Sequence, residues 1–96
     1  MSEQTTKIPT SKLSGRLKKV PNWKGKDRRK AIQRTFTLPD FRAALAFVAY
    51  VGELAECHNH HPDIDIRYNK VTLTLSTHSA GGLTTKDFEL AALIGP

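Results

Sequence analysis

The side chains best suited to chemistry crowd into one stretch. Cys57, His58, His60 and His61 fall within five residues, Pro62 closes the run, and the fourth histidine, His78, lies further along the chain. Imidazole changes charge near neutral pH, so two of them held beside one small molecule can serve as proton donor and acceptor. That chemistry fits His60, His61 and His78 taken together. A zinc site would draw on the same residues and Cys57, but the spacing lacks the paired ligands, roughly two to five residues apart, of structural zinc sites, and no metal is expected. For His58 a place at a helix end, where a cation suits the dipole, is explanation enough. Cys57 reads as a small buried thiol.

These residues need elements to hold them. "DFRAALAFVAYVGELAECH" repeats Phe41, Leu45, Val48 and Ala55 at helical spacing, with Ala44, Phe47, Val51 and Leu54 widening the stripe, so a long helix should lie across a sheet. "TLPD" places its start: Thr37 as N-cap, Pro39 in the first turn, Asp40 at N3. Asn59 or the histidines end it.

Beyond Pro62 the period becomes two. Ile64, Ile66 and Tyr68 alternate with Asp63, Asp65 and Arg67, then Val71, Leu73 and Leu75 with Thr72, Thr74 and Ser76, which is a hairpin with Asn69-Lys70 as its loop. On that register Tyr68 is a core residue facing Val71, Ile66 faces Leu73, Ile64 faces Leu75, and His61 meets His78, provided that pairing continues past Pro62. "SAGG" breaks the strand. Thr84 opens a final helix, with Asp87 at N3 of a capping box and Leu83 stapled to Phe88.

Upstream, residues 1–9 read as a flexible arm and residues 10–96 as a single domain. Leu13, Leu17 and Val20 mark a short helix from Thr10 or Ser11, "PNWKGK" a turn with a short edge strand, and "AIQRTFTL" a strand in which Arg34 is the misfit. The sum is an α+β domain, an antiparallel sheet with its helices on one face.

Composition sets limits on function. Ninety-six residues hold one core, no apolar run nears the ~20 residues of a membrane span, and the first residues show no secretory or transit signal, so a cytoplasmic protein is expected. The single cysteine excludes an internal disulfide. The net charge of +6 is lopsided: residues 1–34 hold eleven Lys and Arg against two acids. That region, with Trp23 among its cations, has the charge to follow phosphates, but no nucleic-acid motif accompanies it, and a solvated basic surface is the expectation.

Glu56, His60-His61-Pro62, Tyr68, His78 and Asp87, in this order and spacing, resemble the signature of the pterin-4a-carbinolamine dehydratases. Many members carry Trp where this chain has Ile64. The resemblance implies a four-stranded sheet in the order α-β-β-α-β-β-α, with Trp23 on or near the first strand. It implies loss of water from a 4a-hydroxytetrahydropterin, with His60 and His78 as the proton-transfer pair and His61 as a binding or orienting residue. Glu56 and Asp87 would orient an imidazole or bind the pterin. No cofactor is implied, the pterin being the substrate, and a homodimer or homotetramer is expected. The family also resembles a dimerisation cofactor of transcription factors, a binding role that needs no histidine chemistry.

Overall fold

The computed structural model describes residues 6–96, and two alternating strands make the centre of its fold. β2 (Ala31–Thr37) and β4 (Lys70–Leu75) pair antiparallel, with Ile32 opposite Leu75 and Phe36 opposite Val71. Ile32, Val71, Leu73 and Leu75 are fully buried on one face, each worth roughly 1.5–3 kcal/mol against exposure. The opposite face is polar: Gln33 bonds Thr74 at 2.9 Å and Thr35 bonds Thr72 at 2.8 Å. Short edge strands, β1 (Lys24–Lys26) and β3 (Asp63–Arg67), complete an antiparallel sheet in the order β1-β2-β4-β3.

Three helices cover the apolar face: α1 (Thr10–Lys18), α2 (Phe41–His58) and α3 (Thr85–Ile94). The chain order is therefore α-β-β-α-β-β-α, as expected. α2 buries Ala44, Val51 and Ala55, small or compact side chains that let its backbone approach the sheet, while α3 buries Phe88, Leu90, Ala91 and Ile94. Arg34, the misfit of β2, lies over the Phe36 ring at 4.2 Å and donates from Nη1 to Gly95 O at 2.8 Å. Trp23, buried just before β1, donates from Nε1 to the same carbonyl at 2.7 Å. The two fasten the C-terminal end of α3 to the first hairpin. A buried indole also offers no platform for a nucleic-acid base.

Four local expectations need correction. α2 begins three residues later than read: Thr37 still pairs with Lys70 in the sheet, and Asp40, not Thr37, is the N-cap, accepting from Ala43 N–H at 2.8 Å. The β3–β4 loop is Tyr68-Asn69, because Arg67 pairs with Lys70. Tyr68 takes φ 54° in that turn and is 67% exposed, so it is not a core residue. Nor is the chain untethered up to residue 9: Ile8 is buried, and its N–H donates to Leu83 O at 2.8 Å, while residues 1–5 of the expected arm lie outside the described residues.

The β1–β2 turn is unusual. Asp27, Arg28 and Arg29 have φ of 51°, 57° and 65° in succession, a left-handed turn closed by Lys30 N–H on the carbonyls of Lys26 and Asp27, both at 3.1 Å. For L-residues that conformation costs roughly 1–2 kcal/mol each.

Candidate active site

The end of α2 aims His60 inward. Asn59 is left-handed (φ 49°, ψ 45°), His60 N–H donates to Ala55 O at 3.1 Å, and Asn59 N–H donates to Glu56 O at 3.3 Å. These are the paired bonds of a Schellman close, and Asn tolerates the left-handed position better than most residues. The reversal carries the His60 ring beneath the helix, where it is 9% exposed and its Nε2 lies 2.5 Å from Asp87 Oδ1.

Asp87 arrives from the opposite direction, as N3 of α3, with no exposed surface. Its Oδ2 accepts from Thr84 N–H at 2.9 Å, the carboxylate half of the expected capping box, and from Thr77 Oγ1 at 2.8 Å. Thr77 spends its one hydroxyl hydrogen on Asp87, so Thr84 Oγ1 donates to Thr77 Oγ1, at 2.8 Å. With the carboxylate accepting throughout, His60 Nε2 is the donor, and Nδ1 is the nitrogen left for proton exchange.

His61 stays outside. Its Nε2 lies 2.6 Å from Glu56 Oε2, and both side chains are largely exposed. His78 opens a 3-10 turn (His78–Ala80) directly after Thr77, is exposed, and its ring makes no hydrogen bond among the described residues.

Two clefts open here. One of about 120 Å³ is lined by His58, His60, Lys86 and Glu89. The other, of about 320 Å³, is lined by His78 with Asp27, Lys30, Asp63 and Ser76. Only the second reaches the low end of the roughly 300–1,000 Å³ range of small-molecule pockets. Among the described residues no three His, Cys, Asp or Glu side chains group as a metal site would require.

The expected meeting of His61 with His78 by strand pairing does not occur. β3 starts at Asp63 and β4 ends at Leu75, and the shifted loop moves every partner by two residues, so Ile64 faces Leu73. His60 and His78 are related instead through Asp87, which holds the ring of one and the neighbour of the other. Glu56 reaches His61, and Asp87 has both oxygens occupied within the protein. Cys57 is exposed rather than buried, because it falls off the α2 stripe of Ala44, Val51 and Ala55.

Sequence reading missed Thr77, although a signal existed: it continues the inward alternation of Val71, Leu73 and Leu75 as a polar residue, and a buried polar side chain must find a partner. Asp27 and Lys30 carried no such signal.

Comparison with known proteins places this geometry in a wider group. The family described as pterin 4 alpha carbinolamine dehydratase matches residues 6–95. A Chloroflexus aurantiacus protein provisionally named pterin-4-alpha-carbinolamine dehydratase is 51% identical over 88 residues, 92% of each chain. A Roseiflexus castenholzii protein with the same provisional name is 67% identical over 63 residues, 66% of this chain and 68% of the relative. The crystal structure of a transcriptional coactivator/pterin dehydratase from Brucella melitensis superposes with TM-score 0.87 at 35% identity, covering 93% of this chain and 95% of that one.

Proposed function

The chain belongs to the pterin 4 alpha carbinolamine dehydratase family, and on that premise we propose that it removes water from a 4a-hydroxytetrahydropterin by histidine acid–base catalysis. The C4a–O bond breaks as the departing hydroxyl takes a proton. N5 loses its own proton, and a C4a=N5 double bond forms, giving the quinonoid dihydropterin. Neither transfer changes oxidation state, so two imidazoles suffice.

His60 and His78 divide the two transfers. His61, steadied by Glu56, orients the substrate, and Asp87 acts through His60 as a positioning residue. The observation that carries this reading is the Asp87 carboxylate, bonded to His60 through Oδ1 and to Thr77 through Oδ2. One buried group thereby sets both histidine-bearing segments. Work in the cytoplasm, in recycling a tetrahydrobiopterin-type cofactor, goes with this activity. The exposed Phe41 and Leu45, one turn apart on α2, support a homo-oligomer.

The test is a dehydration assay on enzymatically generated 4a-hydroxytetrahydropterin, with and without chelator. His60→Ala and His78→Ala should each abolish turnover while leaving the circular dichroism spectrum unchanged, and chelator should have no effect. Normal turnover in both variants would remove the assignment. It would favour the binding-module reading, for which the same exposed α2 residues are the surface.

A further inference from the structure

The proposed reaction gives no role to the basic half of the chain. The described residues up to Arg34 carry eleven Lys and Arg and a single carboxylate, Asp27. None of the eleven is ion-paired: the pairs among the described residues are His60 with Asp87, His61 with Glu56 and Arg67 with Asp65. Like charges gathered without partners repel, and a polyanion relieves that repulsion.

The fold brings these cations onto one surface. Along α1, Lys12, Arg16 and Lys19 follow at i, i+4 and i+7 as one row, and Ser11, Ser14 and Lys18 at i, i+3 and i+7 form a second. Leu13 is buried on the inner side of the helix, and Gly15 lies between the rows on the outer side. Arg29 Nη1 donates to Ser14 Oγ at 3.5 Å, which sets the left-handed β1–β2 turn, with the exposed Arg28 at its middle, against the second row. A Cβ on Gly15 would meet no other part of the described chain within 4 Å. Glycine, the weakest helix former after proline, therefore serves no packing inside the protein, and its small size suits the close approach of something outside it.

The chemistry of this face selects the partner. It offers ammonium, guanidinium and hydroxyl groups, the donors that phosphate and sugar oxygens receive. The large exposed apolar side chains all lie beyond residue 34, Phe41 being the first, so the face has neither the anchors of a protein interface nor a wedge for a bilayer. Trp23, at 2% exposure, cannot stack on the bases of a single strand. From Lys12 to Lys19 the first row spans roughly 10 Å, and a duplex with one charge per ~1.7 Å of axis sets about six phosphates against that length. We propose that α1 and the turn at 27–29 dock the sugar-phosphate backbone of a nucleic-acid duplex without reading its bases. Lys12, Lys18 and Lys19 contact phosphates from the helix and Arg28 from the turn, and the backbone lies over Gly15.

The test is fluorescence anisotropy of labelled 20-base-pair DNA and RNA duplexes of arbitrary sequence with the full chain, between 50 and 200 mM salt. The single strand, phosphatidylserine vesicles and polyglutamate serve as competitors at equal charge concentration. At least one duplex should bind with micromolar affinity at 50 mM salt, weaken about 10²-fold by 200 mM as four phosphate contacts require, and withstand every competitor. The tighter of the two identifies the source. Lys12→Gln combined with Lys19→Gln should lower the salt slope by about two and Arg28→Gln by about one, with circular dichroism unchanged. Gly15→Leu keeps every charge, so it should weaken binding severalfold although the helix melts no earlier. Arg42→Gln and Lys70→Gln, outside this surface, should leave binding as it is. Absence of duplex binding at 50 mM salt, displacement by any competitor, or wild-type affinity in the α1 and turn variants would overturn the proposal, whether or not the chain dehydrates a pterin.

Discussion

Thr77 donates its hydroxyl hydrogen to Asp87 at 2.8 Å, and through that bond the residue preceding His78 is fastened to the carboxylate that faces His60. Two segments far apart in sequence are thus positioned by one side chain. All three hydrogen bonds to that side chain lie in the interior, where loss of any one leaves a polar atom unpaired.

Asp87→Asn should therefore damage activity and stability together. An amide cannot accept at both ends, so His60 loses its fixed tautomer and α3 part of its cap. The expected loss is about 10²-fold in kcat, within the range of a general acid–base contribution, and about 1–3 kcal/mol in unfolding free energy. Steady-state kinetics and urea unfolding on the same preparation test it. Full kcat in a destabilised protein would reduce Asp87 to a helix cap.

Glu56 is a different case, since its pair with His61 is exposed on both sides and exposed ion pairs contribute little to stability. Glu56→Gln should leave the melting temperature where it is and raise KM with kcat unchanged. The difference from wild type should shrink in 1 M salt, where screening shortens to about 3 Å. A fall in kcat that survives high salt would place Glu56 in the proton transfers instead.

Asn59 connects the fold to the site. Asn59→Gly should be tolerated, because glycine adopts its left-handed conformation freely. Asn59→Val should cost about 1–2 kcal/mol and, by opening the turn that buries His60, lower kcat more than that loss of stability explains. Thermal unfolding and turnover of both variants decide the matter, and equal activity in the two would detach His60 placement from the turn.

How far the sequence predicted this arrangement depended on how local each cause was. The two-residue period of 64–75 and the capping box at Thr84 and Asp87 are local patterns, and both were legible. The hairpin register was not. Asn69 looked like the natural first loop residue, but its Nδ2 donates to Leu38 O at 2.9 Å and its carbonyl accepts from Leu38 N–H at 2.8 Å. That contact with the chain leaving β2 holds Asn69 at the second loop position and leaves Tyr68 to take positive φ. A shift of two residues preserves which face each side chain occupies, so the core reading of Ile66, Val71, Leu73 and Leu75 survived while the His61–His78 pair did not. The left-handed turn at 27–29 was likewise unreadable, since nothing in "KDRRK" favours positive φ over three residues.

That turn yields a last prediction. Arg28 sits at its middle, exposed, with φ 57°. Arg28→Gly removes the penalty on Cβ at this position, while the greater freedom of glycine in the unfolded chain takes back roughly 0.5–1 kcal/mol. The net gain should be about 0.5–1 kcal/mol, which for a domain of this size raises the melting temperature by about 2–8 °C. Arg29 is a poorer choice, because its Cγ would lie only 3.3 Å from a Cβ on Gly25 and so packs across the strand. Scanning calorimetry on the variant and wild type measures the shift. A variant that melts below wild type would show that the turn is not strained as its dihedral angles indicate.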